Sequence, residues 1–470
     1  MKRLSNTKAA NNVADRTTGP ILVPLIAFSI PMMLTNMLQL LFNAVDIIVV
    51  GRFASANAVA AVGATSSIIN LLVTLFSGIS IGVTVVIATE IGSGNSETPL
   101  TVHTSYAFGI LLGLLTALIG FFISKPLLQL MGTPNEIIEQ SALYLKIVFI
   151  GQPGFMIYTF ARAILISTGD TKSPLKYLIV SGIVNTILNL LLVIGFQLDV
   201  AGVAIATSIS HFVSAVLTTR KLLKLSGDFH LDFTKIRIHG NKALKILRLG
   251  LPTGIQSAIF SVSNIMIQGA INSLGTVVVA GYSAAQNIQN FAFQALAAFS
   301  QGGLTFAGQN YGAKKYDRIR KVFRNTLLCQ SALGIFFAFL SIVGSKTLLH
   351  IYLPDAPDSV EAGIVALHIM LIFVFLGGFQ ECSSNILRGM NRSLLPMIVT
   401  IFGTCILRII WVMTVFQWAF ASFDTLTAFR WLLFSYPITW TITLLINLVI
   451  YFYVIRKLGN HNQFHTSLST

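Results

Sequence analysis

Long apolar runs separated by short polar segments dominate this chain, and runs of roughly 18 or more residues meet the length of a membrane-crossing helix. Twelve such runs occur, at 21–51, 57–91, 100–124, 137–167, 174–196, 200–223, 244–272, 276–309, 318–344, 359–388, 394–420 and 428–456. The longest polar stretch inside the chain, Ser226 to Lys242, separates six from six. The pattern predicts an all-α polytopic membrane protein, with twelve transmembrane helices in two pseudo-symmetric six-helix bundles. The expected organisation is an N-terminal tail (1–20), a first lobe (21–225), a linker (226–243), a second lobe (244–456) and a C-terminal tail (457–470).

The two halves repeat weakly but in order. Ser29-Ile30-Pro31 falls on Gly250-Leu251-Pro252 and Asn43 on Asn264; after a one-residue gap Ile68 and Asn70 match Ile288 and Asn290, then Gly92 matches Gly312 and Pro174 matches Pro396. Six spans per half give both halves the same orientation, a parallel repeat whose expected substrate path lies at the repeat interface.

Composition agrees with a lipid solvent: 54% of the 470 residues are hydrophobic, 10% are charged, and the mean hydropathy is +0.78. A net charge of +15 raises the question of nucleic acid, and the placement of the charges answers it. Lys and Arg gather in the N-terminal tail, around Lys172 and Lys176, in Arg220 to Arg248, in Lys314 to Arg324 and at Arg456 and Lys457. With twelve spans these segments share one side, while Asp199, Asp355, Asp358, Glu361 and Asp424 fall on the other. This positive-inside pattern predicts a multi-pass protein of the cytoplasmic (inner or plasma) membrane with both termini cytoplasmic and no nucleic-acid partner. The first run is too long for a signal-peptide core. Cys329, Cys382 and Cys405 lie in or beside apolar runs without metal-ligand spacing and are expected as free thiols.

Polar groups inside the spans carry the chemistry. Asp46 is deep in the first run, where an unpaired carboxylate costs several kcal/mol unless it is protonated, paired or hydrated. Asn185 and Asn189 stand four apart on one face of the fifth run, able to reach one ligand or to bond between helices. In the second half, Gln256, Asn264 and Gln268, then Gln286, Asn290 and Gln294, line two helical faces that lipid would reject, so they are candidates for a substrate cavity or for interhelical bonds. Glu381 and Arg408 are expected to pair across adjacent helices, Arg162 to snorkel or shape the cavity, and Met32, Met33 and Met37 to pack or to form an adaptable binding surface. Pro31 interrupts the first run and is a candidate hinge. No convergent catalytic groups, metal-ligand cluster or phosphate-binding loop appears, so neither an enzyme nor an ATP-driven pump is expected, and no cofactor.

Three motifs carry a resemblance to the multidrug and toxin extrusion (MATE) family. Asn43-Ala44-Val45-Asp46 followed by Val49-Val50-Gly51-Arg52 is similar to its Asn-x-x-Asp segment ending in Val-Gly-Arg. Gly169-Asp170-Thr171-Lys172-Ser173-Pro174 resembles its Gly-Asp-Thr-Lys-x-Pro loop, and Leu387-Arg388-Gly389-Met390-Asn391 its Leu-Arg-Gly-x-Gly element, with Asn in the last glycine's place. The pattern is closest to the DNA-damage-inducible-type branch, since the second-lobe glutamate of another branch aligns near Phe260 or Ser261. The resemblance implies a monomeric antiporter that exports amphipathic organic cations by alternating access. It also implies a first-lobe cation or proton site made of Asp46, Asn185, Asn189 and Thr207. Many relatives carry aspartate in place of Asn189; with one negative charge fewer, protons are favoured over sodium as the coupling ion. A lipid-linked precursor flippase of the same superfamily, or a membrane protein that does not transport, stay open as alternatives.

Overall fold

The computed structural model describes residues 14–467, so Lys2, Arg3 and Lys8 of the leader lie outside the described residues. Twelve long helices follow in chain order, and among the described residues there is no strand. They are α1 (Leu22–Phe53), α2 (Ala56–Ser93), α3 (Thr98–Leu130), α4 (Asn135–Thr168), α5 (Lys172–Gly195) and α6 (Asp199–Leu223). The second half adds α7 (Gly240–Asn272), α8 (Thr276–Gly312), α9 (Tyr316–Tyr352), α10 (Pro357–Gly389), α11 (Leu394–Ser422) and α12 (Thr425–Ser467). The backbone of α12 runs on through most of the segment assigned to the C-terminal tail, which offers no proline to stop it. Ten of the twelve are apolar enough to cross a membrane on length and composition; α7 and α8 are not among them. Their amides, and Lys242, Lys245 and Arg248 in the first turns of α7, dilute an otherwise sufficient length.

Lipid-facing surface is plain on α9, where Ile335 (72% exposed), Phe339 (62%) and Val343 (68%) recur every fourth residue. A stripe of large apolar side chains on one helical face is what hydrocarbon accepts and water does not. Three of the four tryptophans gather near the α11–α12 turn: Trp418 packs edge-on against Trp431 with centroids 5.8 Å apart, and Trp411 Nε1 donates to the Trp431 carbonyl at 2.9 Å. Amphipathic indoles favour the membrane–water boundary.

The helices form two compact units. Unit 1 is built on Leu34–Gly254 and unit 2 on Arg16–Met33 with Ile255–Thr470. In unit 1, α4 is the central helix and packs on α2, α3 and α6. In unit 2 the repeat-related α10 packs on α8, α9 and α12, which is the equivalent set of partners. The division does not fall in the linker. Instead α1 passes between units at Met33/Leu34 and α7 at Gly254/Ile255, each two residues after a proline, Pro31 and Pro252. Small residues allow this. A Cβ on Gly78 would lie 2.4 Å from Gly254 Cα, and one on Gly82 2.4 Å from the Ile246 carbonyl oxygen, so α2 and the start of α7 touch backbone to backbone in unit 1. In unit 2, the start of α1 packs on α8 through Ser29 against Gly302 and Phe28 edge-on to Phe306.

Two of the sequence motifs prove to be helix punctuation. After α4, Gly169 takes φ +98°, and Asp170 then accepts the Ser173 N–H (2.9 Å) and the Ser173 hydroxyl (2.6 Å), holding the first turn of α5. Asn391 closes α10 at φ +61°. The left-handed region favours glycine and tolerates asparagine better than other side chains, which accounts for Asn standing in the glycine place of that motif.

Candidate ion-coupling and substrate sites

In unit 1, Asp46 on α1 faces α5 and α6. Asn189 Nδ2 donates to Asp46 Oδ1 and, at 3.2 Å, to Asn185 Oδ1; Asn185 Nδ2 in turn donates to Thr207 Oγ1 at 3.5 Å. The four residues form one chain of polar contacts. Asn185 and Asn189 are buried, and Asp46 and Thr207 half-buried. Close approach of α1 and α5 depends on Gly182, where a Cβ would overlap the Phe42 ring at 2.0 Å; Phe42 lies one turn before Asp46 and Gly182 two turns before Asn189. The chain is backed by an apolar cluster of Val49, Val50, Tyr144, Val148 and Val193. Among the described residues no Lys, Arg or His forms an ion pair with Asp46, and Asn189 Oδ1 is buried without a hydrogen-bond partner. Directly after Asn189 the helix widens into a π-helical stretch, Leu190–Gly195, a local departure often found at functional positions. Arg162 on α4 reaches Asn36 of α1 at 3.3 Å rather than solvent.

Unit 2 holds two buried guanidinium groups. Arg388 pairs with Glu381 at 3.6 Å and donates to Asn385 Oδ1 (2.6 Å) and Gln256 Oε1 (2.8 Å). Glu381 therefore does not pair with Arg408 as the sequence suggested. Arg388 follows Glu381 by seven residues, two turns on the same face of α10, and claims the carboxylate first. Arg408, fully buried on α11, instead donates from Nη1 to Asn264 Oδ1 (3.2 Å) and from Nη2 to Thr439 Oγ1 (3.4 Å). Its guanidinium carbon lies 4.4 Å from the Tyr436 ring centroid and 5.5 Å from that of Phe260. Tyr436 and Tyr282 share a hydroxyl–hydroxyl bond of 2.9 Å, and Gln286 donates to the Tyr282 hydroxyl at 3.2 Å.

Comparison with known proteins fits this architecture. The MatE family profile matches residues 31–191 and again 252–414, together well over half the chain. The chain belongs to the MatE family. The two matches begin at Pro31 and Pro252, the residues at which the internal repeat was aligned. Among relatives, the probable multidrug resistance protein YoeA of Bacillus subtilis is 28% identical over 384 residues, covering 80% of this chain and 83% of the relative. The probable multidrug resistance protein NorM of Thermotoga maritima is 28% identical over 390 residues, covering 80% and 82%. The outward-facing structure of a multidrug resistance MATE family transporter of the MOP superfamily superposes with a TM-score of 0.86 at 20% identity, covering 95% of this chain and 98% of that one, and so shares the fold. MatE proteins are membrane transporters and not enzymes, and this chain is a polytopic membrane protein of that family.

Within the MatE repeat, the six amides of α7 and α8 separate. Gln256 serves Arg388 and Asn264 serves Arg408, whereas Gln268 bonds Asn272 one turn along α7 at 2.9 Å. Gln286 bonds Tyr282, and Asn290 is exposed. Sequence reasoning passed over Arg388, although its place two turns after Glu381 was a readable signal. It also passed over Lys242, which bridges Glu90 (2.8 Å) and Glu97 (3.0 Å) from 152 and 145 positions away, a pairing with no local signature. Among the described residues no three His, Cys, Asp or Glu side chains come together as a metal site.

Proposed function

We propose that this MatE protein is a cation-coupled antiporter that exports amphipathic organic cations by alternating access, with Asp46 as the coupling carboxylate. The observation that carries the reading is the Asp46–Asn189–Asn185–Thr207 chain: a carboxylate inside a span, bonded to the neutral amide of Asn189 and, among the described residues, lacking a basic partner. Such a group is free to exchange a proton or a small cation with the membrane gradients, whereas one locked to an arginine is not. Protons are favoured over sodium. Protonation needs one titratable carboxylate, which Asp46 supplies, whereas a sodium ion favours several oxygens and a net negative charge to which the neutral Asn189 does not add. The names of the relatives, multidrug resistance proteins, support small organic molecules as cargo.

Pro31 is proposed as the hinge, since it removes a backbone hydrogen bond just before α1 changes unit. The basic loops support cytoplasmic termini in a cytoplasmic membrane, and the chain is proposed to work as a monomer. The test is efflux of a fluorescent organic cation from proteoliposomes under separately imposed proton and sodium gradients. Gradient-driven efflux that disappears in Asp46→Asn is expected, and the effective gradient names the ion. Normal efflux by Asp46→Asn would remove the role given to that residue; no efflux under either gradient would remove the multidrug reading and make lipid-linked cargo the next to examine.

A further inference from the structure

Arg408 is a full positive charge enclosed in a membrane span with no carboxylate to answer it. Its side chain is completely buried, its two bonded partners are the neutral oxygens of Asn264 and Thr439, and Nε has no partner. Among the described residues no Asp or Glu pairs with it, and Glu381, the acid nearest in sequence on the neighbouring spans, belongs to Arg388. A guanidinium keeps its charge inside proteins, and removing it from water without a counter-charge costs several kcal/mol. The aromatic rings of Tyr436 and Phe260 offset part of this through cation–π attraction, leaving the edge of the fork with N–H groups to spare.

The place of Arg408 in the repeat adds an independent reason. In the register that sets Pro174 on Pro396, the π-helical stretch Leu190–Gly195 of α5 falls on Val412–Phe416 of α11, and both exist. A second π-helical stretch, Ile401–Ile406, precedes Arg408, so the arginine sits on the short α-helical segment Leu407–Trp411 between two widened ones. Asn264, its partner, is the repeat mate of Asn43 on α1, three residues before Asp46; the mate of Asp46 itself is Ile267. Unit 1 thus carries an unpaired carboxylate on α1 bonded to α5, and unit 2 an unpaired guanidinium on α11, the repeat mate of α5, bonded to α7, the repeat mate of α1.

We propose that Arg408, with Asn264 and the Tyr436 and Phe260 rings, is a receptor for the acid group of the cargo, so that the transported class is amphipathic molecules bearing a carboxylate on an aromatic body. A carboxylate takes Nε–H and one Nη–H of the fork side by side, the paired geometry that guanidinium favours, while the rings accept the flat apolar part. Phe260 and Asn264 are only half-buried, so the wall of the site reaches the surface of unit 2. The inference rests on the export reading above and narrows it: the favoured cargo carries an acid in addition to its cation.

Equilibrium binding to the purified full-length protein in detergent, without any gradient, tests this separately from coupling. Rhodamine 110, whose benzoate is free, and its methyl ester rhodamine 123 are titrated by fluorescence anisotropy. Wild type is expected to bind the acid at least about tenfold more tightly than the ester, the scale of one charge-assisted hydrogen bond. Arg408→Gln erases the preference by weakening rhodamine 110 alone. Asn264→Asp erases it too while keeping the arginine, because it supplies an internal counter-ion, and it decides the matter should Arg408→Gln not fold. Asp46→Asn leaves the preference in place, so a failed coupling model and a failed acid receptor give different results. Equal affinity for the two dyes in wild type, binding of neither, or parallel losses of both in the variants would overturn the proposal.

Discussion

Replacing Asn189 by aspartate puts a second carboxylate in contact with Asp46, and the structure sets the size of the effect. Asn189 is fully buried and Asp46 half-buried, so water screens the pair only in part, and the substitution removes the N–H that Asp46 accepts. Two negative charges about 4 Å apart repel by about 4 kcal/mol at an effective dielectric constant of about 20. Loss of a hydrogen bond to a charged group adds roughly 1.5–3 kcal/mol. Few folds tolerate that sum, and the cheapest relief is one proton or one monovalent cation shared between the carboxylates. Relief of the repulsion alone, about 4 kcal/mol at about 1.4 kcal/mol per tenfold, should raise cation affinity at the site by about a thousandfold. The assay is thermal denaturation of the purified variant with sodium or a bulky organic cation at equal ionic strength, in mildly acidic and in alkaline buffer. Asn189→Asp is expected to be less stable than wild type in alkaline, sodium-free buffer and to recover with sodium or on acidification, because the paired carboxylates bind more protons folded than unfolded. If the variant matches wild type in alkaline, sodium-free buffer, Asn189 and Asp46 do not meet and the coupling site is wrongly built.

The buried arginine of α10 offers a second measurement: Arg388→Ala strands Gln256 and Asn385 and should cost about 3–5 kcal/mol, whereas Arg388→Lys, which keeps the charge but not the fork, should cost about half as much in thermal inactivation. Gly82→Ala drives a methyl group against the Ile246 carbonyl and the Gly250 amide and should remove most of the monodisperse protein on size exclusion, while Gly63→Ala, with open space around it, should not. Lys242→Met leaves Glu90 buried without its cation; adding Glu90→Gln should restore most of the lost thermal stability, and failure to do so would show that the pair is not coupled.

Much of this molecule was legible because lipid imposes a crude rule. A run of some twenty apolar residues has few other fates, and ten of the twelve helices meet that rule by composition while amide-rich α7 and α8 meet it by length. The meeting of Asp46 with Asn189, Asn185 and Thr207 was expected on a family resemblance; helical spacing alone gave only the shared face of the two asparagines. The charge pairing of unit 2 was misread because a partner on another helix was preferred to one two turns away on the same helix. The π-helical stretches in α5 and α11 leave no mark in an apolar sequence, since one extra residue per turn is settled by packing against neighbours rather than by side-chain type.

The passage of α1 and α7 from one unit into the other bears on how such a chain is assembled. A polypeptide cut within 226–239 would yield two fragments, each missing the helical turns lent by its counterpart: Arg16–Met33 for one and the stretch up to Gly254 for the other. Each fragment is expected to be less stable alone than in the whole chain, and mixing the two should recover what each lacks. The leading helix of each repeat therefore contributes its first turns to the unit formed by the rest of the other repeat, so the boundary of the sequence repeat and the boundary of the packed unit differ by about one helix start.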